Sequence, residues 1–312
     1  MKVQGLAVGN TQVKNNIFLA PMAGYTDYCF RNLAISLGVG LTFTELVSAK
    51  GLAYGGNGSK DLLYCGKDVS LTAAQLFGSD AYYLRAACES EHLQPFKIVD
   101  INMGCPVPKV FKNGEGSALL CDVKKAEYII KECVKSGKII TVKIRTGIKQ
   151  GDDIATEYAK MAEASGASLI TIHGRVREAY YSGEPDYKAI EKAKRAVNIP
   201  VIANGGIFTE ADAENMIERT GADGIMLARG AIADPFIFSR MTKTVSGLNL
   251  KDFIIKHVKL MAERYSDKKA AVEFRKFTPY YFKGMVGVKE LKKDLVKAES
   301  TAEIIELIEK NL

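Results

Sequence analysis

Short hydrophobic runs recur through the first three quarters of the chain and alternate with segments whose apolar residues have helical spacing. Eight runs rich in Val, Ile, Leu, Phe and Thr have the length and composition of strands buried on both faces. They cover residues 16–21, 41–46, 71–77, 98–102, 139–144, 169–173, 200–203 and 224–228. Helical spacing is clearest at residues 123–136, 154–165, 187–197 and 210–220. This alternation predicts an α/β fold, a (β/α)8 or TIM barrel, with a doubly wound parallel sheet as the alternative.

The pattern changes after about residue 246, where only helical spacing remains. Helices are predicted at residues 250–265, 268–283, 288–297 and 301–311. The sequence therefore predicts two domains: a barrel over residues 1–244 and a small C-terminal all-α helical bundle over residues 245–312.

The composition of the 312 residues, 47% hydrophobic and 25% charged, excludes disordered and fibrous classes. No stretch approaches the ~18 apolar residues of a membrane span, and the first ten residues lack the apolar core of a signal peptide. We therefore expect a cytoplasmic protein with no membrane partner. The 6 cysteines include no CxxC pair and no two histidines have ligand spacing, so neither a disulfide framework nor a metal site is expected.

The positive charge is concentrated near the C-terminus. The whole chain has 43 Lys and Arg against 36 Asp and Glu, a formal charge of +7. Residues 245–297 alone have 13 basic and 6 acidic residues, which is the same excess. A basic helical segment indicates an acidic partner such as nucleic acid; the alternative is a solvated lysine-rich surface.

Residues of unusual chemistry fall at the predicted C-terminal ends of separate strands. They are Pro21, Glu45, Gln75, Asn102, Lys143, His173 and Asn204. Barrels of this type build their active sites from the loops at that rim. We therefore expect the chemistry there.

Two glycine-containing loops indicate a phosphate site. Asn204, Gly205 and Gly206 follow the seventh strand, and Ala228 and Arg229 precede a glycine after the eighth. Glycines permit close backbone approach, arginine forks onto phosphate oxygens, and the loops after strands seven and eight are where such barrels bind phosphate. Each loop taken alone is also compatible with an ordinary tight turn.

Lysine and histidine at the strand ends suggest a flavin. An inward-facing Lys143 is costly unless a negative charge accompanies it, and a reduced flavin carries such a charge; the alternative is a lysine that extends to solvent at the rim. Gln75 has the donor and acceptor pair that suits a pyrimidine edge. His173 is either a donor to a flavin or substrate, or a structural residue.

Cys105 lies in the loop that leaves the fourth strand, between Gly104 and Pro106. This irregular backbone can direct the thiol into the barrel mouth. An unperturbed thiol, with a pKa of about 8.5, is mostly protonated at neutral pH and can act as a general acid. The alternative is a buried packing residue.

Six motifs, in this order, resemble the tRNA-dihydrouridine synthases. They are APMAGYTD (20–27), QLFG (75–78), NMGCP (102–106), VKIRTG (142–147), HGR (173–175) and NGGI (204–207). The resemblance covers residues 15–240 and extends more loosely to the tail through FRK (274–276), two tyrosines (280–281) and Lys283. The sequence departs from the usual family pattern at Val176, Ala179, Gly206 and Ala228, none of which is a reacting group.

The resemblance implies an FMN-containing barrel that uses NADPH to reduce the 5,6 double bond of a uridine in tRNA. Cys105 would then be the catalytic residue, donating a proton to uracil C5 as hydride reaches C6. The implied FMN contacts are Pro21, Met22, Ala23, Gln75, Lys143, His173, Asn204, Gly205, Gly206, Ala228 and Arg229. The implied substrate contacts are Asn102 and Arg175 in the barrel and Arg275 and Lys276 in the tail.

The basic tail fits a tRNA partner, because a barrel mouth alone offers little surface to hold a folded RNA whose base must leave its stack. Tyr280 or Tyr281 would stack on a base or pack internally. Two alternatives stay open: a flavin barrel acting on a small molecule, as in dihydroorotate dehydrogenases, and an RNA-binding scaffold without chemistry. Ribosomal RNA is an alternative substrate within the same activity.

Overall fold

Eight parallel strands close into a barrel in the computed structural model, which describes residues 1–66 and 69–312. The strands of the described chain are β1 (Leu6–Val8), β2 (Thr11–Val13), β3 (Ile17–Leu19), β4 (Thr42–Phe43), β5 (Val47–Ser48), β6 (Thr72–Phe77), β7 (Ile98–Met103), β8 (Ile139–Arg145), β9 (Ile170–His173), β10 (Val201–Asn204) and β11 (Gly224–Leu227).

Strand order runs β3-β11-β10-β9-β8-β7-β6-β4, with every neighbouring pair parallel. The ring closes between β3 and β4, where Phe18 pairs with Leu41 and the Leu19 N–H donates to the Leu41 carbonyl at 3.0 Å. Strand β5 pairs with the end of β6. The barrel prediction is confirmed, and the doubly wound alternative is wrong.

Helices follow nearly every barrel strand. The α-helices of the described chain are α1 (Tyr28–Ser36), α2 (Ala49–Ala53), α3 (Asn57–Leu62), α4 (Ala81–Glu89), α5 (Pro108–Lys112), α6 (Val123–Val134), α7 (Ala155–Ala164), α8 (Tyr187–Ala196), α9 (Glu210–Thr220), α10 (Arg229–Ala233), α11 (Ile237–Thr242), α12 (Leu250–Arg264), α13 (Asp267–Phe274), α14 (Thr278–Tyr281), α15 (Lys289–Lys297) and α16 (Thr301–Asn311). Three 3-10 helices are η1 (Glu91–Leu93), η2 (Gly116–Cys121) and η3 (Arg275–Phe277). Within the described residues, no helix is both long enough and apolar enough to cross a membrane.

Residues 245–312, all of them described, contain helices and no strand. One tail prediction is wrong: the single helix over residues 268–283 is three elements, α13, η3 and α14. Pro279 has no N–H to donate to the Arg275 carbonyl four residues earlier, as an α-helix requires. The Thr278 N–H donates to that carbonyl instead, which tightens the chain into a 3-10 turn.

The barrel interior is filled by an apolar cluster that we call the floor cluster. Its buried members are Val8, Val13, Phe18, Ala20, Leu41, Phe43, Ala73, Ile98, Leu169, Ile202 and Met226. The β1–β2 hairpin contributes Val8 and Val13 to it. The strands bury their other face against the surrounding helices in a larger core. Among the described residues, a cavity remains above this packing, at the carboxyl ends of the strands.

Buried aromatic rings attach the tail to the barrel. Phe277 in η3 stacks on Phe30 in α1 with ring centroids 5.8 Å apart, and His257 in α12 shares a 2.8 Å hydrogen bond with the Tyr281 hydroxyl. The Tyr265 hydroxyl donates to Asp27 Oδ2 at 3.1 Å. The tail is therefore packed on the barrel near α1. The domain boundary between residues 244 and 245 stays a prediction.

Candidate active site

A cavity of about 420 Å³ opens at the carboxyl ends of the barrel strands. Ala20 and Met226 of the floor cluster lie at its base. Every site residue predicted in the barrel lines it, namely Pro21, Met22, Ala23, Gln75, Asn102, Cys105, Lys143, His173, Arg175, Asn204, Gly205, Gly206, Ala228 and Arg229. The structure thus brings together residues that are spread over about two hundred positions of sequence.

Four cations gather in this cavity: Lys143, Arg145, Arg175 and Arg229. Among the described residues, none of them has a carboxylate within 4 Å. Burial and the neighbouring Arg145 lower the pKa of Lys143 to about 8. Burial and the four cations hold the pKa of the His173 imidazole well below its usual range, so the ring is neutral at neutral pH. The cavity is therefore electrostatically prepared for an anion.

The loop after β10 fits a close approach by a ligand. Gly205 has φ +121°, and a Cβ there would come within 2.9 Å of His173 Cδ2. Gly206 has φ +70°, and its Cβ would lie 3.0 Å from Pro185. Side chains at these two positions would be strained and would crowd the cavity wall. Beside this loop, the Arg229 guanidinium lies 4.5 Å from the centre of the Tyr181 ring.

Lys143 is held in place by its neighbour across the barrel. Its Nζ donates to Asn204 Oδ1 at 3.1 Å, and Asn204 Nδ2 donates to the Met226 carbonyl at 2.7 Å. This second bond fixes which way the Asn204 amide faces. The lysine therefore points into the mouth, where it is partly exposed.

Cys105 lies on the loop between β7 and α5 and is partly exposed to the cavity. Burial raises the pKa of its thiol, against smaller lowering effects of the Val107 N–H and of Arg145 and Lys143. The thiol is therefore protonated at neutral pH. Ser117 holds the loop from below, because its hydroxyl donates to the Cys105 carbonyl at 2.7 Å.

Gln75 and Asn102 join in a buried network. Asn102 Nδ2 donates to Gln75 Oε1 at 3.0 Å, and Asn102 Oδ1 accepts the Cys105 N–H at 2.9 Å. Gln75 Nε2 in turn donates to Asp100 Oδ2 at 2.7 Å. Asp100 lies below the cavity and was not found by sequence reasoning.

Sequence reasoning also missed Arg145, although its signal was present. Arg145 is two residues after Lys143 on β8, so strand alternation places both on the same inward face. Its Nε donates to the Gly104 carbonyl at 2.9 Å, and its Nη1 donates to the carbonyls of Val176 and Tyr180. Arg145 thereby ties the Cys105 loop to the loop after β9.

Aromatic side chains complete the cavity wall. Tyr25, Tyr181 and Tyr280 line it, and Tyr280 comes from the tail. The rings of Tyr25 and Tyr280 pack edge to face with centroids 5.6 Å apart. Tyr281, by contrast, is buried among the rings that attach the tail.

The two tail residues predicted to contact substrate lie outside the cavity lining. The Arg275 guanidinium donates to the Ala298 carbonyl at 2.9 Å and so anchors η3 to the end of α15. Lys276 in η3 pairs with Glu273 at the end of α13 at 2.5 Å. A substrate role for either stays a prediction. Among the described residues, no group of three His, Cys, Asp or Glu side chains is placed to hold a metal ion.

The family model and the curated relatives that match this chain point to one family. A model described as dihydrouridine synthase (Dus) matches residues 18–312. The tRNA-dihydrouridine synthase B of Pasteurella multocida (strain Pm70) is 35% identical over 290 residues, covering 90% of this chain and 87% of that protein. This chain belongs to the dihydrouridine synthase family. The tRNA-dihydrouridine synthase B of Proteus vulgaris is 32% identical and covers 97% of both chains.

Members of the dihydrouridine synthase family are flavin-dependent oxidoreductases that act on tRNA uridine. The resemblance inferred from the six motifs is confirmed. Solved structures with the same barrel include histamine dehydrogenase from Rhizobium sp. 4-9, with a TM-score of 0.59 at 14% identity over 82% of this chain and 50% of that one. Morphinone reductase has a TM-score of 0.55 at 12% identity, covering 78% of this chain and 91% of that one. At such identities the likeness shows the fold alone.

Proposed function

We propose that this dihydrouridine synthase family member uses FMN and NADPH to reduce the C5=C6 bond of a uridine in tRNA. The observation that carries the proposal is the composition of one cavity, where a protonated thiol shares the lining with four cations that have no carboxylate within 4 Å, two of which, Arg145 and Arg175, are buried. The family relationship supplies the reaction class.

The residues present fit a flavin mononucleotide. A phosphate suits the glycine loop after β10 together with Arg229, because backbone N–H groups and a guanidinium without a carboxylate partner both favour a dianion. The cavity volume lies within the range of ligand pockets, roughly 300 to 1,000 Å³. Lys143 and the neutral His173 are placed to bind the isoalloxazine or ribityl part, and Pro21, Met22 and Ala23 to support it. Bound there, FMN would supply the two-electron chemistry.

Cys105 holds the proton that the reaction needs. Addition of a hydride equivalent to uracil C6 leaves negative charge at C5 and O4, and one proton must then be added at C5. Burial keeps the Cys105 thiol protonated, so it serves as general acid and recovers its proton from solvent before the next turnover. The net reaction consumes NADPH and one proton per dihydrouridine.

Arg175 and Asn102 are placed to hold the uracil. The Arg175 guanidinium is fixed by the carbonyls of Ser182 and Gly183 and lies 3.3 Å from His173 Nε2. A rigid donor fork of this kind suits the carbonyl oxygens of a pyrimidine. Asn102 has one amide hydrogen left after its bond to Gln75.

The tail supplies the surface for the rest of the tRNA. Tyr280 extends from the tail into the cavity wall, so an RNA that reaches the cavity also meets the tail. The lysines of residues 245–297 would neutralise phosphates. Action in the cytoplasm is part of this proposal.

The test uses the full chain as purified. We expect a yellow protein that releases FMN on heating, is bleached by NADPH under anaerobic conditions, and is reoxidised by tRNA from a strain that lacks this gene. Mass spectrometry of that tRNA should show dihydrouridine at positions that contained uridine before.

Other outcomes contradict the proposal in distinct ways. Reoxidation by orotate and not by tRNA would identify a small-molecule flavin barrel. A colourless protein that FMN cannot reconstitute but that binds tRNA would identify a scaffold. Dihydrouridine formed in ribosomal RNA alone would support the proposed reaction and contradict tRNA as its substrate.

A further inference from the structure

Asp100 is a buried carboxylate that the mechanism above does not use. It is 1% exposed and lies in the middle of β7, inside the barrel. Burying a carboxylate is costly, and the interior positions below Asp100 are filled by apolar side chains such as Ala73 and Ile98. Among the described residues, no cation lies within 4 Å of Asp100 to form an ion pair. Its retention therefore needs an explanation other than packing or a salt bridge.

Hydrogen bonds to Asp100 come from both neighbouring strands. Thr141 on β8 donates its hydroxyl to Oδ1 at 2.6 Å, and Gln75 on β6 donates its amide to Oδ2 at 2.7 Å. The strand register places Gln75, Asp100 and Thr141 side by side across three strands. They form one layer of the barrel interior, directly below the layer that contains Asn102 and Lys143.

The network continues from Asp100 to the catalytic loop. Gln75 Oε1 accepts from Asn102 Nδ2 at 3.0 Å. Asn102 Oδ1 then accepts two backbone N–H groups, those of Gly104 at 3.2 Å and Cys105 at 2.9 Å. Asp100 is thus connected to the backbone of Cys105 through two amide side chains.

The groups at the two ends of this hydrogen-bond network determine which atoms donate and which accept along it. An ionised carboxylate only accepts, so the Gln75 NH₂ must face Asp100 and its oxygen must face Asn102. Backbone N–H groups only donate, so the Asn102 oxygen must face the Cys105 loop and its NH₂ must face Gln75. Burial raises the pKa of Asp100 to about 6, which still leaves it ionised at neutral pH. Each amide therefore has one orientation.

We infer that Asp100 is a positioning residue that, through Gln75 and Asn102, holds the Cys105 loop in its reactive geometry. The inference rests on the proposed function for the role of Cys105. It assigns to the buried carboxylate the task of holding the Gln75 amide, which in turn holds the Asn102 amide against the Cys105 loop. Gln75 and Asn102 also line the cavity, so the same orientation sets which of their atoms face a ligand.

The experiment compares three variants of the FMN-loaded full chain. Asp100→Leu removes the acceptor at nearly constant volume. Asp100→Asn keeps one acceptor oxygen for Gln75, with its NH₂ turned to Thr141. Thr72→Val is the matched control. It removes a buried 2.9 Å hydroxyl pair with Thr42 in the same barrel and leaves the hydrogen-bond network from Asp100 to Cys105 intact.

The first measurement is the rate of iodoacetamide alkylation of Cys105 relative to the exposed Cys121, read from their peptides by mass spectrometry. We expect Asp100→Leu to raise this ratio by roughly fivefold or more, because a released loop opens locally at lower free energy. Asp100→Asn should restore most of the parent ratio, and Thr72→Val should leave it unchanged. A parent-like ratio in Asp100→Leu, or an equal rise in Thr72→Val, overturns the inference.

The second measurement separates binding from chemistry. Asp100→Leu should slow single-turnover uridine reduction by roughly 100-fold, the effect expected of about 1 Å of misplacement, with the Kd for tRNA unchanged. A parent-like single-turnover rate also overturns the inference. If Asp100→Leu does not fold, Gln75→Leu removes the next hydrogen-bonding group of the network. An unchanged alkylation ratio in Gln75→Leu would also overturn the inference. The alkylation ratio needs no tRNA, so it decides the positioning role even if the parent protein fails to reduce uridine.

Discussion

The two ends of the barrel are built from the same eight strands but have opposite chemistry. The floor cluster contains only apolar side chains, and most of them have no exposed surface. The cavity at the carboxyl ends contains Lys143, Arg145, His173, Arg175 and Arg229 within one wall. In barrels of this type, the amino-terminal end serves stability and the carboxyl end serves function.

The difference between the two ends shows that a binding site can be recognised by side chains whose burial lowers the stability of the fold. Packed apolar residues stabilise the floor, whereas buried cations without carboxylates destabilise the mouth. The lowered pKa values of Lys143, Arg145 and His173 have the same main cause, because burial removes solvent from the charged form of each side chain. An anionic ligand bound in the cavity reduces this cost.

The largest expected effect is at the mouth. Cys105→Ala should leave FMN content and bleaching by NADPH unchanged and should slow dihydrouridine formation by ~10² to 10⁴-fold, the usual contribution of a general acid. Stopped-flow absorbance measures the two half-reactions separately. Cys121→Ala, which removes an exposed thiol elsewhere, is the control. Full turnover of tRNA by Cys105→Ala would contradict the general-acid role and indicate that Cys105 is a packing residue.

The second effect is at the floor. Phe43→Ala removes a fully buried ring that packs against Phe18 with centroids 6.2 Å apart, and should lower the free energy of unfolding by ~3–5 kcal/mol. Denaturant unfolding of the FMN-free and FMN-loaded protein measures the loss. At temperatures where the variant is folded, FMN content and turnover per folded molecule should match the parent. A selective loss of turnover would contradict the division between the two ends.

Much of this division could be predicted from the sequence. The two-sided burial of parallel strands produces continuous apolar runs, so all eight barrel strands were located. The chemistry-bearing residues at their ends then follow from the fold. The first two predicted runs, at 16–21 and 41–46, extend beyond the strands, which end at Leu19 and Phe43.

The remaining features depend on relations between distant segments. Asp100 gains its importance from the register that aligns it with Gln75 and Thr141, and a single sequence does not specify that register. Tyr280 lines the cavity only because the tail packs against α1. The strand-end residues can be predicted from the local sequence pattern, whereas the roles of Asp100 and Tyr280 can be recognised only from the tertiary structure.

A smaller expected effect concerns the free energy that burial of the Asp100 carboxylate below the mouth costs the folded state. The pKa of Asp100 is about 6 when folded and near 3.8 when unfolded, so the folded state binds more protons in this window. Its stability contribution is therefore lost as pH rises through that window. Asp100→Asn has no such group. Its free energy of unfolding relative to the parent should rise by about 2 kcal/mol between pH 4.5 and pH 7.5. Urea titrations at both pH values measure this, and a pH-independent difference would contradict it.

The smallest expected effect concerns the tail surface, where charge lies outside the barrel altogether. If Lys276 neutralises one tRNA phosphate, Lys276→Ala should lower the slope of log K against log salt by ~0.7 to 0.9 and weaken binding only modestly. Lys131→Ala is the matched control, because Lys131 also pairs with a glutamate nearby in sequence but lies on α6 of the barrel. Arg275 is unsuitable for this test because its bond to the Ala298 carbonyl makes any substitution structural. Filter binding across a salt series gives both slopes. Equal slopes for the parent and both variants would show that Lys276 makes no phosphate contact and would place the RNA surface on other residues, beginning with those that surround Tyr280.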